Sequence, residues 1–78
     1  MAEIKPLPEI PSAHMKRGDI IIVEPKDGGN FEAEVIDCYG WGLVNGVMDW
    51  LMERRDDGQQ FTYSIHIETQ VQVVARAS

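Results

Sequence analysis

The chain has 78 residues, of which 13 are acidic and 7 are basic, so its formal net charge at pH 7 is −6. This length predicts a single domain, and the acidic balance argues against a surface that neutralises nucleic-acid phosphates. The only cysteine, Cys38, has no partner for an internal disulfide. With two histidines it also cannot build the usual four-ligand zinc site. Stability must therefore come from a compact core or from a partner.

Targeting and cofactor signals are missing from the sequence. No stretch is long and apolar enough for a transmembrane helix, and no basic N-terminal region precedes an apolar segment. The glycine pair at 28–29 has neither the following helix nor the lysine that a phosphate-binding loop requires. We therefore expect a cytoplasmic protein without a cofactor, a metal or a membrane contact.

Residues 1–15 differ in composition from the rest of the chain. Pro6, Pro8 and Pro11 fall within six residues, and proline removes a backbone donor and fixes φ. This pattern predicts an extended Pro-rich arm that precedes a domain over residues 16–78. The arm could be an ordered edge strap, a disordered tail or a docking motif. A second interpretation is a leader left by cloning, because a common cloning site encodes His14-Met15 and Met15 would then be the natural start.

From Lys16 onward the pattern is that of β-strands separated by turn residues. The first strand follows Gly18-Asp19 and is entirely β-branched, and the second shows apolar residues alternating with glutamates. The sequence predicts a glycine-rich loop at 40–46 and a short turn of 3₁₀ type at 68–70. The predicted strands, in chain order, are 19–24, 31–39, 47–55, 60–67 and 71–75.

The stretch 47–55 also fits a helical spacing of apolar residues, so a helix there is the alternative. The tight-turn signal Asp56-Asp57-Gly58 comes next, and residues 61–67 alternate cleanly after it. We therefore favour an antiparallel hairpin around Asp57-Gly58, with Met48, Trp50 and Met52 on one face. The predicted core consists of Ile20, Ile22, Ala33, Val35, Trp50, Ile65 and Val73.

Small antiparallel sheets with this many strands avoid exposed edges by closing into a barrel. The elements Gly18-Asp19, an aromatic-x-Ala-x-Val strand from Phe31 and the hairpin at Asp57-Gly58 occur in that order. Together with the final Val-x-Val-Val strand, this layout resembles the SH3-like barrels, among which the Tudor-type and KOW-type members are nearest. The resemblance covers residues 16–76 and concerns architecture alone. It predicts an all-β fold, a five-stranded antiparallel SH3-like barrel with an extended Pro-rich N-terminal arm.

No constellation of side chains indicates catalysis. Cys38 and His66 are far apart in sequence and have no third group to orient them, so we interpret Cys38 as a half-buried structural thiol. His66 falls on the polar face of its strand, where it would be solvated. Asp56 and Asp57 form a turn rather than a metal pair. We predict that the protein is not an enzyme.

The candidate binding site centres on the aromatic residues of the 39–46 loop. Tyr39 and Trp41 flank a glycine, and an indole in such a loop is hard to bury fully. SH3-like barrels commonly bind ligands through loop aromatics, and nearby acids would favour a cationic group over a ring. The alternative is that Trp41 folds back to plug the end of the barrel. The predicted partner-binding residues are Tyr39, Trp41, Leu43, Asp37 and Asp49.

These features predict a non-catalytic binding module or small subunit that recognises a protein or peptide partner, basic or extended in character. One alternative is a nucleic-acid-associated module of transcription or translation, as in KOW-type barrels. It would require six cations, Lys16, Arg17, Lys26, Arg54, Arg55 and Arg76, to cluster. Another is a phage or mobile-element protein whose acidity competes for basic sites. Tight binding to duplex DNA is not expected, and a homo-oligomer remains open.

Overall fold

The structure, a computed structural model, describes residues 7–40 and 45–77. The described residues are all-β, with a single 3₁₀ turn at Ser12–His14 and no α-helix. The strands are β1 (Glu9–Pro11), β2 (Ile20–Val23), β3 (Phe31–Cys38), β4 (Val47–Arg54), β5 (Gln60–His66) and β6 (Gln70–Ala75). The five predicted strands are confirmed, each within one residue at either end, and β1 is additional.

The six strands form one open antiparallel sheet in the order β1-β6-β2-β3-β4-β5, so β1 and β5 are its edges. One face of the sheet carries the hydrophobic core, and we call the opposite face the outer face. No second layer covers the core face within residues 7–40 and 45–77, so the sheet must curl for that face to pack on itself. A closed SH3-like barrel remains a prediction.

The hairpin of β4 and β5 was predicted correctly, and the helical alternative for 47–55 is wrong. Pairing runs without a shift from Val47–His66 to Glu53–Gln60. The connection uses the turn chemistry of its residues, since Gly58 has φ +73° and Asp57 Oδ1 accepts the Gln59 N–H at 2.9 Å.

The segment that precedes β2 belongs in part to the sheet. Glu9–Pro11 pairs with β6, and the 3₁₀ turn that follows carries the fully buried Ser12, whose hydroxyl donates to the His66 carbonyl at 2.6 Å. A short turn follows β5 as predicted, but it lies at 67–68, it is not a 3₁₀ helix, and β6 already begins at Gln70. The tie between Ser12 and His66 brings the two ends of the open sheet together.

The core contains five of the seven predicted residues, and two predictions are wrong. Ile20 and Ile22 are only half-buried, whereas Ile21 and Val23 are buried. Four successive β-branched residues show no polar alternation, so their sequence does not fix which face is inward. The pairing of Ile21 with Ala33 and Val73 does fix it. The buried hydrophobic residues are Met15, Ile21, Val23, Ala33, Val35, Met48, Trp50, Met52, Ile65, Val71 and Val73.

A β-bulge in β3 changes the phase of that strand. Val35 pairs with Met52 and Asp37 pairs with Leu51, so Ile36 has no partner on β4. A bulge of one residue reverses the faces of the residues that follow it. Cys38 is therefore opposite the buried Trp50 and packs against the core, which confirms a half-buried thiol.

A buried carboxylate links the start of β2 to the chain after β6. Asp19 is fully buried, and its oxygens accept the N–H groups of Lys16 at 2.8 Å and Ala77 at 2.7 Å. The Arg76 guanidinium lies 3.4 Å from the same carboxylate. Because buried charges persist only when they are paired and hydrogen-bonded, Asp19 is a fixed part of the fold.

Candidate functional site

The predicted site residues that the structure describes lie together near the end of β3 and the start of β4. Asp49 faces outward on β4, between the buried Met48 and Trp50. Asp37 is exposed on β3, and the Tyr39 N–H donates to the Asp49 carbonyl at 2.8 Å. Trp41 and Leu43, the other two predicted residues, lie outside the described residues. The structure thus brings three of the five predicted residues into one neighbourhood.

Tyr39 is the most exposed large hydrophobic residue of the described chain, with 59 % of its surface accessible. It follows Cys38, which the bulge in β3 places against the core, so alternation directs the next residue away from the core. The Cys38 thiol donates to the Gly40 carbonyl at 3.0 Å and helps to fix the chain beyond Tyr39. An exposed aromatic ring on a fixed backbone is suited to contact with a partner.

The two aspartates are held by local hydrogen bonds that leave acceptor capacity. Asp37 Oδ1 accepts the Cys38 N–H at 2.8 Å, and Asp49 Oδ1 accepts the Ser64 hydroxyl at 2.6 Å. A carboxylate can accept several hydrogen bonds, so each can also bind a cationic group. Both side chains are exposed, which places this capacity at the surface.

The acidic character extends along the outer face beyond the predicted residues. Glu32 and Glu34 face outward on β3, and Glu34 is directly opposite Glu53 of β4. Like charges directly opposite each other destabilise a sheet, and here one cation, Arg55, lies 3.5 Å from Glu34. Glu34 and Glu53 could not be predicted as site residues, because their juxtaposition depends on the strand register. We call Glu32, Glu34, Asp37, Asp49 and Glu53 the acidic face.

Several basic residues are engaged within the chain. The Arg54 guanidinium donates to both oxygens of Asp56, at 2.9 and 2.7 Å, and lies 3.9 Å from the centre of the Phe31 ring. Hydrogen bonding to Arg54 lowers the pKa of Asp56 from 3.8 to about 2. Arg55 and Arg76 pair with Glu34 and Asp19. Three of the six cations that a nucleic-acid surface would need are thus partly neutralised.

Two shallow grooves flank the sheet. A groove of about 450 Å³ is lined by Ile22, Asn30, Phe31, Glu32, Arg55 and Asp56. A cleft of about 220 Å³ separates β5 from β6 and β1, and its wall includes Tyr63, Glu24 and Glu9. Burial and the charge of Glu24 raise the pKa of Tyr63. Neither groove is lined by histidine or cysteine.

The residues considered for catalysis do not converge. Cys38 packs against the core, whereas His66 is exposed on the outer face, where its Nδ1 accepts the Glu68 N–H at 3.1 Å. Asp56 and Asp57 lie in the turn after β4, as predicted, and both contact Arg54. Among the described residues, no group of three or more histidine, cysteine or acidic side chains could hold a metal ion.

The chain was compared with protein-family models, with curated proteins and with solved structures, and no match was found. Within the part of the chain that the structure describes, no helix is long and apolar enough to cross a membrane. The site must therefore be interpreted from its own geometry.

Proposed function

We propose that this chain is a non-catalytic binding module that recognises a basic, extended segment of a protein or peptide. The observation that carries the proposal is the acidic face beside the exposed ring of Tyr39. A segment that lies across β3 and β4 would place its cationic side chains against these carboxylates. Its aliphatic parts would contact Tyr39 and the half-buried Leu51. Trp41 and Leu43 of the 39–46 loop are proposed to extend this surface.

The proposed architecture is the SH3-like barrel in a cytoplasmic protein. The order β6-β2-β3-β4-β5 supports this interpretation. The last strand, β6, lies beside β2, and β3, β4 and β5 follow β2 as successive antiparallel neighbours. Full closure of the barrel would require contact between the two ends of the sheet. The hydrogen bond between Ser12 and His66 supports such an approach.

The nucleic-acid alternative has less support. Arg54, Arg55 and Arg76 already face carboxylates of the same chain, so binding phosphate would require them to exchange partners. The acidic face would also repel a polyanion over a surface that spans two strands. We therefore expect duplex DNA to bind weakly or not at all.

The test uses a labelled peptide with alternating lysine and valine residues, titrated with the protein and followed by fluorescence anisotropy. The wild type should bind, and affinity should fall as salt is raised. Tyr39→Ala should weaken binding by roughly 5- to 30-fold if the ring is a central contact. Asp49→Asn should weaken it by roughly 2- to 5-fold, as expected for an exposed ion pair. Trp41→Ala tests the contribution of the loop.

The matched control is Asp27→Asn, which removes the same charge from an exposed turn outside the acidic face. This variant should bind like the wild type. Equal affinities for Asp49→Asn, Tyr39→Ala and Asp27→Asn would contradict the proposal, as would stronger binding of a peptide with glutamate in place of lysine. Thermal unfolding of each variant shows whether a loss of binding reflects a loss of fold.

A further inference from the structure

The hydrogen-bonding pattern of β5 shows which of its backbone groups face the open edge of the sheet. The Arg54 N–H donates to the Gln59 carbonyl at 2.9 Å, and the Ile67 N–H donates to the Gly46 carbonyl at 2.8 Å. Directly opposed residues in an antiparallel pair alternate between bonded and non-bonded. The odd-numbered residues of β5 therefore bond to β4, and the even-numbered ones direct their N–H and C=O groups to the edge.

The free part of this edge ends at His66. The His66 carbonyl accepts the Ser12 hydroxyl at 2.6 Å and the Thr69 N–H at 3.0 Å, so the 3₁₀ turn covers that end of the strand. Within residues 7–40 and 45–77, no backbone partner lies on the edge side of Gln60, Thr62 and Ser64. These three residues form what we call the free edge.

The free edge lacks the features that usually protect an edge strand from pairing. Natural edges carry lysine, proline or a bulge, or are very short. In contrast, β5 has seven residues without proline or acidic, lysine or arginine side chains, and it pairs with β4 without a bulge. On the core side of the strand, Phe61 and Tyr63 are only half-buried, with ring centres 6.5 Å apart. A further strand would cover both rings.

We propose that the free edge pairs with the free edge of a second copy of this chain, antiparallel about a two-fold axis at Thr62. Gln60 then faces the partner's Ser64, Phe61 faces the partner's Tyr63, and Thr62 faces the partner's Thr62. Each free residue exchanges bonds with another free residue, and the occupied His66 carbonyl is not required. Aromatic pairs and threonine pairs across strands are favourable.

The charge of the strand permits a second copy at this position, because the three free residues are uncharged, while Glu9 and Glu24 lie across the neighbouring cleft that Tyr63 lines. The edge itself carries no carboxylate, although the chain has a net charge of −6. Glu53 lies opposite Gln60, and in the proposed dimer Gln60 lies opposite the partner's Ser64. That serine lies opposite the partner's Asp49, so Glu53 and the partner's Asp49 are the nearest carboxylates along this line of residues. These carboxylates are three strand spacings apart, about 14 Å, which exceeds the Debye length at physiological salt. A two-fold contact also closes on itself, so it gives a dimer rather than a fibre.

The test measures the mass of the full chain by sedimentation equilibrium over a wide range of protein concentration. The wild type should shift from 8.8 kDa towards twice that value. Thr62→Lys places two ammonium groups face to face at the axis and should raise the dimer dissociation constant at least about tenfold. Thr62 is exposed, so at protein concentrations where the wild type is monomeric the variant should unfold at the same midpoint.

Asn30→Lys adds the same charge in the exposed turn before β3 and should dimerise like the wild type. Amide exchange gives a second measurement, because the Thr62 and Ser64 N–H groups should become protected as the wild-type concentration rises but not in Thr62→Lys. A wild type that stays monomeric at every concentration would overturn the proposal. A dimer that Thr62→Lys leaves intact would overturn it equally, since the contact would then lie elsewhere.

Discussion

The two edges of the sheet solve the same problem in different ways. On the β1 edge, only three residues are paired. Glu9 and Pro11 are the ones that face outward, since the Pro8 carbonyl accepts the Val73 N–H of β6 and the Ser12 N–H donates to the carbonyl of Thr69, just before β6. Pro11 has no N–H, so β1 offers an approaching strand a single donor beside a carboxylate. On the β5 edge, three successive outward residues keep both backbone groups. A short strand with proline and an acid closes one edge, and nothing comparable closes the other.

This difference is why the proposed contact with a second copy lies at the β5 edge and not at the β1 edge. The acidic face lies between the two edges and belongs to neither. A basic ligand and a second copy could therefore bind at the same time.

The largest expected effect comes from the core that lies beneath both edges. Ile21→Ala removes a fully buried side chain between Ala33 and Val73 and should cost about 2–5 kcal/mol of unfolding free energy. The half-buried Ile22 is its matched control, and Ile22→Ala should cost less than half as much. Chemical denaturation measures both. Equal losses would mean that the inward face of β2 is assigned incorrectly.

The second-largest effect tests whether the part of the sheet that contains β1 and β6 unfolds separately from β5. Asp19→Ala leaves the Lys16 and Ala77 N–H groups without their acceptor and should cost about 2–4 kcal/mol. Because Ala77 follows β6, amide exchange should accelerate first in β6 and β1 and later in β5. Asp19→Asn keeps one acceptor oxygen and should lose less. Uniform acceleration across the sheet would show that the two sides do not unfold separately.

A smaller effect tests the end of the free edge. Ser12→Ala removes the hydroxyl that donates to His66 and should cost about 1 kcal/mol. Ser64→Ala removes a hydroxyl that is exposed on the outer face and should change stability much less. Thermal unfolding compares the two. If the losses are equal, the 3₁₀ turn does not anchor β5, and the contrast between the edges weakens.

The smallest effect concerns the turn that begins β5. The pKa of Asp56 is lowered to about 2 by its hydrogen bonds to Arg54. A carboxylate with a lowered pKa stabilises the fold above its ordinary value of 3.8, and that contribution disappears as pH falls towards about 2. A titration of the side-chain carboxyl carbons by NMR should show the low midpoint. Arg54→Leu should return it towards 3.8, and an unchanged midpoint would exclude this ion pair as its cause.

Much of this fold could be predicted from local patterns. Alternation and, for β2, a β-branched run predicted the five strands, and Asp57-Gly58 predicted the hairpin, because these signals reflect the backbone of neighbouring residues. The phase of β2 could not be predicted, since its four residues are all apolar and only pairing with β3 and β6 selects Ile21. The bulge at Ile36 was missed for a similar reason, and the pairing of β1 with β6 was only one of three alternatives that the sequence left open for the arm. Neither feature has a recognisable local sequence pattern, because both depend on pairing with strands that lie elsewhere in the sequence.

The candidate site was predicted in part for the same physical reasons. Asp37, Tyr39 and Asp49 could be grouped because they lie close to one connection between adjacent strands. The opposition of Glu34 and Glu53 depends on the register of β3 against β4, which the bulge shifts by one residue. The difference between the two edges depends on which residues of β1 bond to β6 and which residues of β5 bond to β4. The sequence does not show this, because it is set by the pairing of the strands.

The position of β6 has a consequence for how the protein is made. This strand comes last in the chain but lies between β1 and β2, and the Val73 N–H donates to the carbonyl of Pro8. The strand that pairs with β1 is therefore synthesised after β2, β3, β4 and β5. Contacts so distant in sequence form slowly, because loop closure must precede them. During translation, the apolar run Ile20–Val23 can pair with β3 before β6 exists, so one edge of β2 stays unpaired until residue 75 has left the ribosome.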